Sequence, residues 1–191
     1  MKIKINDALV FPQGIGALMS LNDFRSDVIL VDLGGLTVDL AYIEMVCGNP
    51  VLHKYDTWTE GIQKMYSKII DQVNCKFNLT LPISFAEKIL TNDLIIDGIV
   101  HSKDFLIPTI QEYLEPILIE LQLNYPCKTT RIYLCGGSAI IFKDIFMKRF
   151  PNTVLMENSQ FANAIGYHKV GIQKFGNPDT TKPTSYACIN R

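Results

Sequence analysis

The stretch "VILVDLGGLTVDLAYIE", residues 28–44, constrains the fold most: a continuous β-branched run ends at an acid and two glycines, then resumes as a second apolar strand. With "PVLHKYDT" (50–57) following Gly48-Asn49, it reads as three strands joined by tight turns, an antiparallel meander. From Thr59 the period becomes helical, with Ile62, Met65, Ile69 and Val73 on one stripe and Tyr66 and Ile70 beside it. Thr57 and Glu60 fit a capping box, T-x-x-E, at the start of that helix. "ISFAEKILTND" (83–93) and "KDFLIPTIQEYLEPILIELQL" (103–123) add two helices, the second starting near Pro108 and disturbed at Pro116. "RIYLCGG" is then a buried strand ending in paired glycines. "SAIIFKDIFMKRF" is a helix with Ser138 at its start and Lys148-Arg149 in its last turn, "NTVLME" a strand, and "NSQFANAIGYHKVG" a helix capped by Asn158. Upstream, "DALVFPQGIGALMSL" breaks at Pro12-Gln13-Gly14 and continues as a short helix.

Helices separate the later strands, so those strands must run parallel. The expected fold is α/β: a mixed five-stranded sheet, its first three strands antiparallel, with helices on both faces and a small helical insertion at about 76–125. Residues 1–25 read as a segment leading into a domain of residues 26–171. Residues 172–191, rich in Gly, Pro, Thr and Asn, read as a flexible tail.

A chain of 191 residues suffices for one sizeable domain. Its 18 basic and 19 acidic residues nearly cancel, and no Lys/Arg run exceeds two, so direct nucleic-acid binding has no electrostatic footprint. The five cysteines (Cys47, Cys75, Cys127, Cys135, Cys188) form no CxxC pair, which points to a reducing, cytoplasmic compartment. His53, His101 and His168 lack metal-ligand spacing. No window approaches the roughly 20 apolar residues of a membrane span, so no membrane partner is expected.

An Asp-x-Gly-Gly strand end brings backbone N–H groups to a place where no Cβ obstructs a phosphate, and a nearby acid can hold a hydrated divalent cation. Asp32, Gly34, Gly35 and Thr37 have this spacing, and the Asp32 carboxylate should emerge at the sheet edge. The same residues also serve a plain hairpin turn. "YLCGGSA" ends a second strand and opens a helix, so Gly136-Gly137 face outward from the same edge; a tight strand-to-helix connection is the alternative. Asp39 alternates with Val38 and Leu40 and is expected to face solvent. Metal-dependent nucleases share the strand order, with Asp32 and Glu60 as first ligands, but Cys135-Gly136-Gly137 stands where their next acid would come.

"VDLGGLTVDLAYIE" resembles the second phosphate motif of the actin-like ATPases, in the superfamily of actin, DnaK-type chaperones and sugar kinases. "IYLCGGSAIIFKDIF" resembles their adenosine motif. "ENSQFANAIGYHKVG" and "VFPQGIGALMS" are similar to the closing helix and the start of the carboxy-terminal domain in the ParM-type, plasmid-segregating branch. The four matches keep the family's order across most of residues 8–171. The resemblance implies a ribonuclease-H-like domain that binds ATP with Mg²⁺. Asp32 would hold the metal through water; Gly34, Gly35 and Thr37 would cradle the β/γ-phosphates; Gly136, Gly137 and Ser138 would contact adenosine; Gly61 and Lys64 would approach the ribose. It further implies like subunits in a filament and a DNA-bound adaptor protein. Such ATPases clasp nucleotide between two domains, and the first has no room before residue 8. The chain therefore reads as half of an ATPase, with no catalytic residue of its own and no full turnover alone; a non-enzymatic assembly module of the same fold is the alternative.

Overall fold

The computed structural model describes residues 8–11, 14–21 and 25–176. In chain order the elements are α1 (Ile15–Ser20), β1 (Val28–Leu33), β2 (Val38–Val46), β3 (Asn49–Trp58), α2 (Ile62–Phe77), α3 (Ala86–Thr91), β4 (Leu94–Ile96), β5 (Ile99–His101), α4 (Ile107–Asn124), β6 (Arg131–Cys135), α5 (Ala139–Arg149), β7 (Thr153–Leu155) and α6 (Ala162–Phe175). Five strands form the main sheet in the order β3-β2-β1-β6-β7. The β1–β2 and β2–β3 pairs are antiparallel, whereas β1–β6 and β6–β7 are parallel. This is the mixed sheet that the apolar periods imply.

All six residues of β1 are buried because it is the central strand, covered on both faces. Ile29, Val31 and Leu33 pack with residues of α2, α4 and α5, among them Ile69, Leu121 and Phe142. Val28 and Leu30 face the other side, where α1 contributes Ile15, Ala17 and Leu18 and α6 contributes Ala162. β3, at the sheet margin, has no buried residue.

α1 and α6 cross nearly backbone to backbone. A Cβ placed on Gly166 would lie 1.7 Å from the Gly16 carbonyl oxygen, so only glycine permits this approach.

Several local expectations need correction. The insertion is not purely helical, since β4 and β5 pair as an antiparallel hairpin through Asp97 and Gly98, both at positive φ (50° and 78°). Asp-Gly between Leu94–Ile96 and the β-branched pair Ile99-Val100 is a strong hairpin signal. α4 runs without interruption through Pro116, which lies on its exposed side. The Thr57–Glu60 capping box does not form: Gly61 is the N-cap residue of α2, Thr57 donates to Asp39, and Glu60 pairs with Lys64. Asn158 adopts a left-handed conformation (φ 50°) before a 3₁₀ turn, and neither it nor Ser138 caps its helix through its side chain. α6 continues to Phe175, so a tail beginning at 172 is too early. The rest of that tail, Cys188, and residues 1–7 of the lead-in fall outside the described residues.

Candidate nucleotide site

The carboxyl ends of β1 and β6 lie side by side, with Asp32 in register with Cys135 on one flank and with Asp39 of β2 on the other. Both glycine turns leave the sheet there. The parallel β1–β6 pairing brings them together, because each follows the carboxyl end of its strand.

The first turn is fixed by α2. The amides of Gly61, Ile62 and Gln63, which a helix start leaves without internal partners, donate to the carbonyls of Leu36 (2.9 Å), Gly34 (3.3 Å) and Gly35 (3.1 Å). Backbone of the turn thus does the capping that Thr57 and Glu60 were expected to do. None of the amides of Gly34, Gly35 and Leu36 donates to another backbone group among the described residues. Gly61 has no room for a side chain, since its Cβ would sit 2.2 Å from the Gly35 carbonyl oxygen. Its amide is spent on Leu36, so Gly61 seats the turn.

The second turn leans on the first. The Ser138 amide donates to the Leu33 carbonyl at 3.4 Å, and the Gly136 amide to the Ser159 carbonyl at 3.0 Å. Gly136 has φ +94°, and a Cβ there would come within 2.5 Å of Asp32 Oδ1. Gly137 is exposed, and a Cβ there would meet only the Gln160 side chain, at 4.0 Å. The Ser138 hydroxyl shares a 3.1 Å hydrogen bond with Tyr66 of α2, whose phenol burial pushes above its ordinary value.

Asp32 does not emerge freely at the edge; it is only 5 % exposed. Asn163 of α6 donates from Nδ2 to Asp32 Oδ2 at 2.7 Å. Burial holds the Asp32 carboxyl above the usual carboxylate range; the Asn163 bond opposes this, and the Asp39 charge adds to it. The Cys135 thiol, buried beside it, is pushed well above its ordinary value by that burial and by Asp32, so it is no nucleophile.

Asp39 is a clear correction: it is 2 % exposed, not solvated. Antiparallel pairing with Asp32 turns it to the same face, where hydroxyls of Thr57 (2.7 Å), Tyr55 (3.0 Å) and Thr37 (3.4 Å) reach its carboxylate. Thr37 thus has its hydroxyl directed at Asp39 in this structure. Lys64 is exposed, paired with Glu60, and lines a cleft with Trp58, Lys68 and Tyr113 towards α4. Gln63, one position earlier, is the α2 side chain beside the turn: a Cβ on Gly35 would lie 3.4 Å from its Nε2.

Sequence reasoning missed Asn163, Gln63 and Tyr66. For Asn163 a signal existed. Asn163, Gly166, Tyr167 and Val170 fall on one helical stripe facing α1, and a polar amide at the head of such a stripe demands a buried partner.

Mg²⁺ keeps most of its water and takes one or two carboxylates together with substrate phosphates. No group of three His, Cys, Asp or Glu gathers among the described residues. One acid between two glycine turns suits a hydrated cation accompanied by phosphates, so the donor set fits Mg²⁺ delivered with a nucleotide. It does not suit the two-cation nuclease alternative, in which Glu60 would be a ligand; Glu60 is paired with Lys64 instead.

No protein-family model and no curated protein matches the sequence. Solved structures do. A 15-stranded ParM filament from Clostridium botulinum superimposes with a TM-score of 0.73 at 21% identity, covering 91% of this chain and 55% of that one. The fold is actin-like. Ta0583, an archaeal actin homolog in complex with ADP, gives 0.67 at 20% identity over 84% of this chain and 56% of that one. MreB5 of Spiroplasma citri bound to ADP gives 0.64 at 19% identity over 83% of this chain and 57% of that one. The chain therefore spans little more than half the length of these actin-like proteins. Among the described residues, no helix is long and apolar enough to cross a membrane.

Proposed function

We propose that this domain binds adenine nucleotide with Mg²⁺ as the carboxy-terminal half of an actin-like, ParM-type ATPase that forms filaments of like subunits and serves plasmid DNA segregation through a DNA-bound adaptor. The observation that carries the nucleotide reading is the pair of glycine turns at the carboxyl ends of neighbouring parallel strands, the first with its carbonyls committed to α2. Gly34, Gly35 and Thr37 meet the phosphates, Gly136 and Gly137 the adenosine, and Gly61 and Ser138 hold the two turns in place. Lys64, already paired at the surface, is left out of the set. Asp32 holds the cation through water; Mg²⁺ supplies neutralisation of phosphate charge. Ordering an attacking water needs groups from a second, similar domain, so the chain by itself turns over little or no ATP.

Half a cleft makes half the contacts, and the expected affinity is millimolar, worth about 4 kcal/mol. The test is a titration of the ¹⁵N-labelled chain with Mg²⁺ and ADP. Amide signals of Gly34, Gly35, Gly136 and Gly137 should move together, and more with ADP than with UDP. Absence of any shift at about 10 mM, far above the expected dissociation constant, refutes the site. In a two-domain ATPase bearing this half, Asp32→Ala should lower phosphate release about a hundredfold or more. Near-normal release would remove the metal role of Asp32, and brisk Mg²⁺-dependent release by residues 1–191 alone would remove the half-site reading.

A further inference from the structure

Asn163 stands where α6, α1 and the end of β1 meet. Its Nδ2 donates to Asp32 Oδ2 at 2.7 Å, and its Oδ1 accepts from the Ala17 amide at 2.9 Å. The Ala17 amide can only donate, which fixes the oxygen of Asn163 on the α1 side and its NH₂ on the Asp32 side. That amide is shared with the Gly14 carbonyl, also at 2.9 Å, so Asn163 and the first turn of α1 hold the same hydrogen. Gly14 in turn abuts Asp32: a Cβ on it would lie 3.7 Å from the carboxylate. Among the described residues, the side chains that bond Asp32 are those of Asn163 and Cys135, of which Asn163 comes from α6. Because α1 and α6 touch backbone to backbone at Gly16 and Gly166, with the Tyr167 ring also against Gly16, little slack separates a movement at Asn163 from a movement of α1.

We infer that Asn163 is a positioning residue with two attachments. It holds Oδ2 of Asp32, leaving Oδ1 directed towards Gly136 to meet a cation's water, and it couples the occupation of Asp32 to the position of α1. The inference rests on the reading of Asp32 as the cation's holder. It adds a direction of signalling: α1 precedes β1 in the chain, so a change at Asp32 is felt there through the Asn163 amide, beside the direct approach of Gly14.

The test uses the ¹⁵N-labelled full chain saturated with ADP and titrated with Mg²⁺, alongside Asn163→Ala and Asn163→Ser. In the unmodified chain the amide signals of Gly136 and Ala17 should follow Mg²⁺ with one midpoint. Both variants should raise that midpoint about tenfold, silence the Ala17 response while Gly136 still responds, and leave ADP binding measured in EDTA unchanged. If Ala17 still follows Mg²⁺ in the variants, or ADP binding in EDTA weakens as much as the Mg²⁺ response, Asn163 is merely structural and the inference falls while the site stands. If Gly136 in the unmodified chain ignores Mg²⁺, the reading of Asp32 fails and takes the inference with it. Should either Asn163 variant not fold, Asn163→Asp decides. It keeps the side-chain volume and the acceptor for the Ala17 amide but loses the Nδ2 donor to Asp32, so a Mg²⁺ response surviving at Ala17 would overturn the coupling, and its loss while Gly136 still responds would uphold it.

Discussion

Gly166→Ala tests whether α1 belongs to this domain. The added methyl would stand 1.7 Å from the Gly16 carbonyl oxygen, 2.7 Å from its carbon and 2.9 Å from the Ser20 nitrogen. A Cβ contact below 3.0 Å is essentially never tolerated, so the two helices must part by at least ~1.3 Å, and the obstructing atoms are backbone that cannot rotate away. Separation loosens the packing of Ile15, Ala17, Leu18 and Met19 against the sheet. Overpacking of this kind costs about 3 kcal/mol at the upper end, and the better helix propensity of alanine returns about 1 kcal/mol, leaving roughly 2. For a chain of this size that is a fall in Tm of about 4–8 °C. Gly171→Ala is the control on the same helix: its Cβ meets nothing within 4 Å, so only the propensity gain acts and Tm should rise by about 2–4 °C. Thermal unfolding followed by circular dichroism reads both. Equal Tm values for the two variants would refute the argument, because they would mean that α1 can leave α6 without loss.

Gly61→Ala should both destabilise the chain and abolish ADP-dependent shifts at Gly34 and Gly35, since its Cβ would lie 2.2 Å from the Gly35 carbonyl oxygen and unseat the turn; retained shifts in a folded variant would disconnect α2 from the site. Asp56 supplies a pH prediction. Burial raises its carboxyl, but hydrogen bonds from Tyr125 (2.7 Å) and Lys54 (3.0 Å) outweigh this and hold it below the usual value. A depressed carboxyl stabilises the fold above the ordinary carboxylate range and loses that contribution as pH falls through the depressed value. The Tm advantage of the unmodified chain over Asp56→Asn should therefore shrink as pH falls below about 4 and on through the depressed value; a constant difference would show that the pair contributes nothing.

The strands of the main sheet and their directions were legible because a buried central strand is forced to be apolar on both faces. The run Val28 to Leu33 carries that signature even with an acid in it. The turns were legible for the opposite reason: Gly136 needs φ +94° and a bare approach to Asp32, and few residues but glycine supply either. What failed was partnership. Thr57 and Glu60 satisfy a local capping pattern, yet their side chains went to Asp39 and Lys64, because the carbonyls of a turn more than twenty residues earlier had already taken the helix amides. Asp39 alternates correctly for a half-solvated strand, and only the packing of α1 and α6 over that face decides that it is buried. Long-range competition for donors has no period to read.

The two acids that share this face are buried alike but satisfied differently, and the difference is what favours Asp32 over Asp39 as the holder of the proposed cation. A carboxylate offers about four acceptor positions. Asp39 meets three hydroxyl donors, so its charge is answered within the domain. Among the described residues, Asp32 meets one amide, on Oδ2, and a thiol that is a weak donor. It lies under the same desolvation with fewer donors, its carboxyl is held above the ordinary range, and the Asp39 charge works against its ionisation. For folding such a group carries a cost: a neutral residue of the same shape would avoid the desolvation and the repulsion, although the Asn163 bond offsets part of both. A hydrated divalent cation at Oδ1 would reverse both, ionising Asp32 and offsetting the neighbouring charge. Among the described residues the acid has few donors at the strand end, beside two turns in which Gly35 and Gly137 are exposed. That placement makes sense if the missing donors arrive with a ligand.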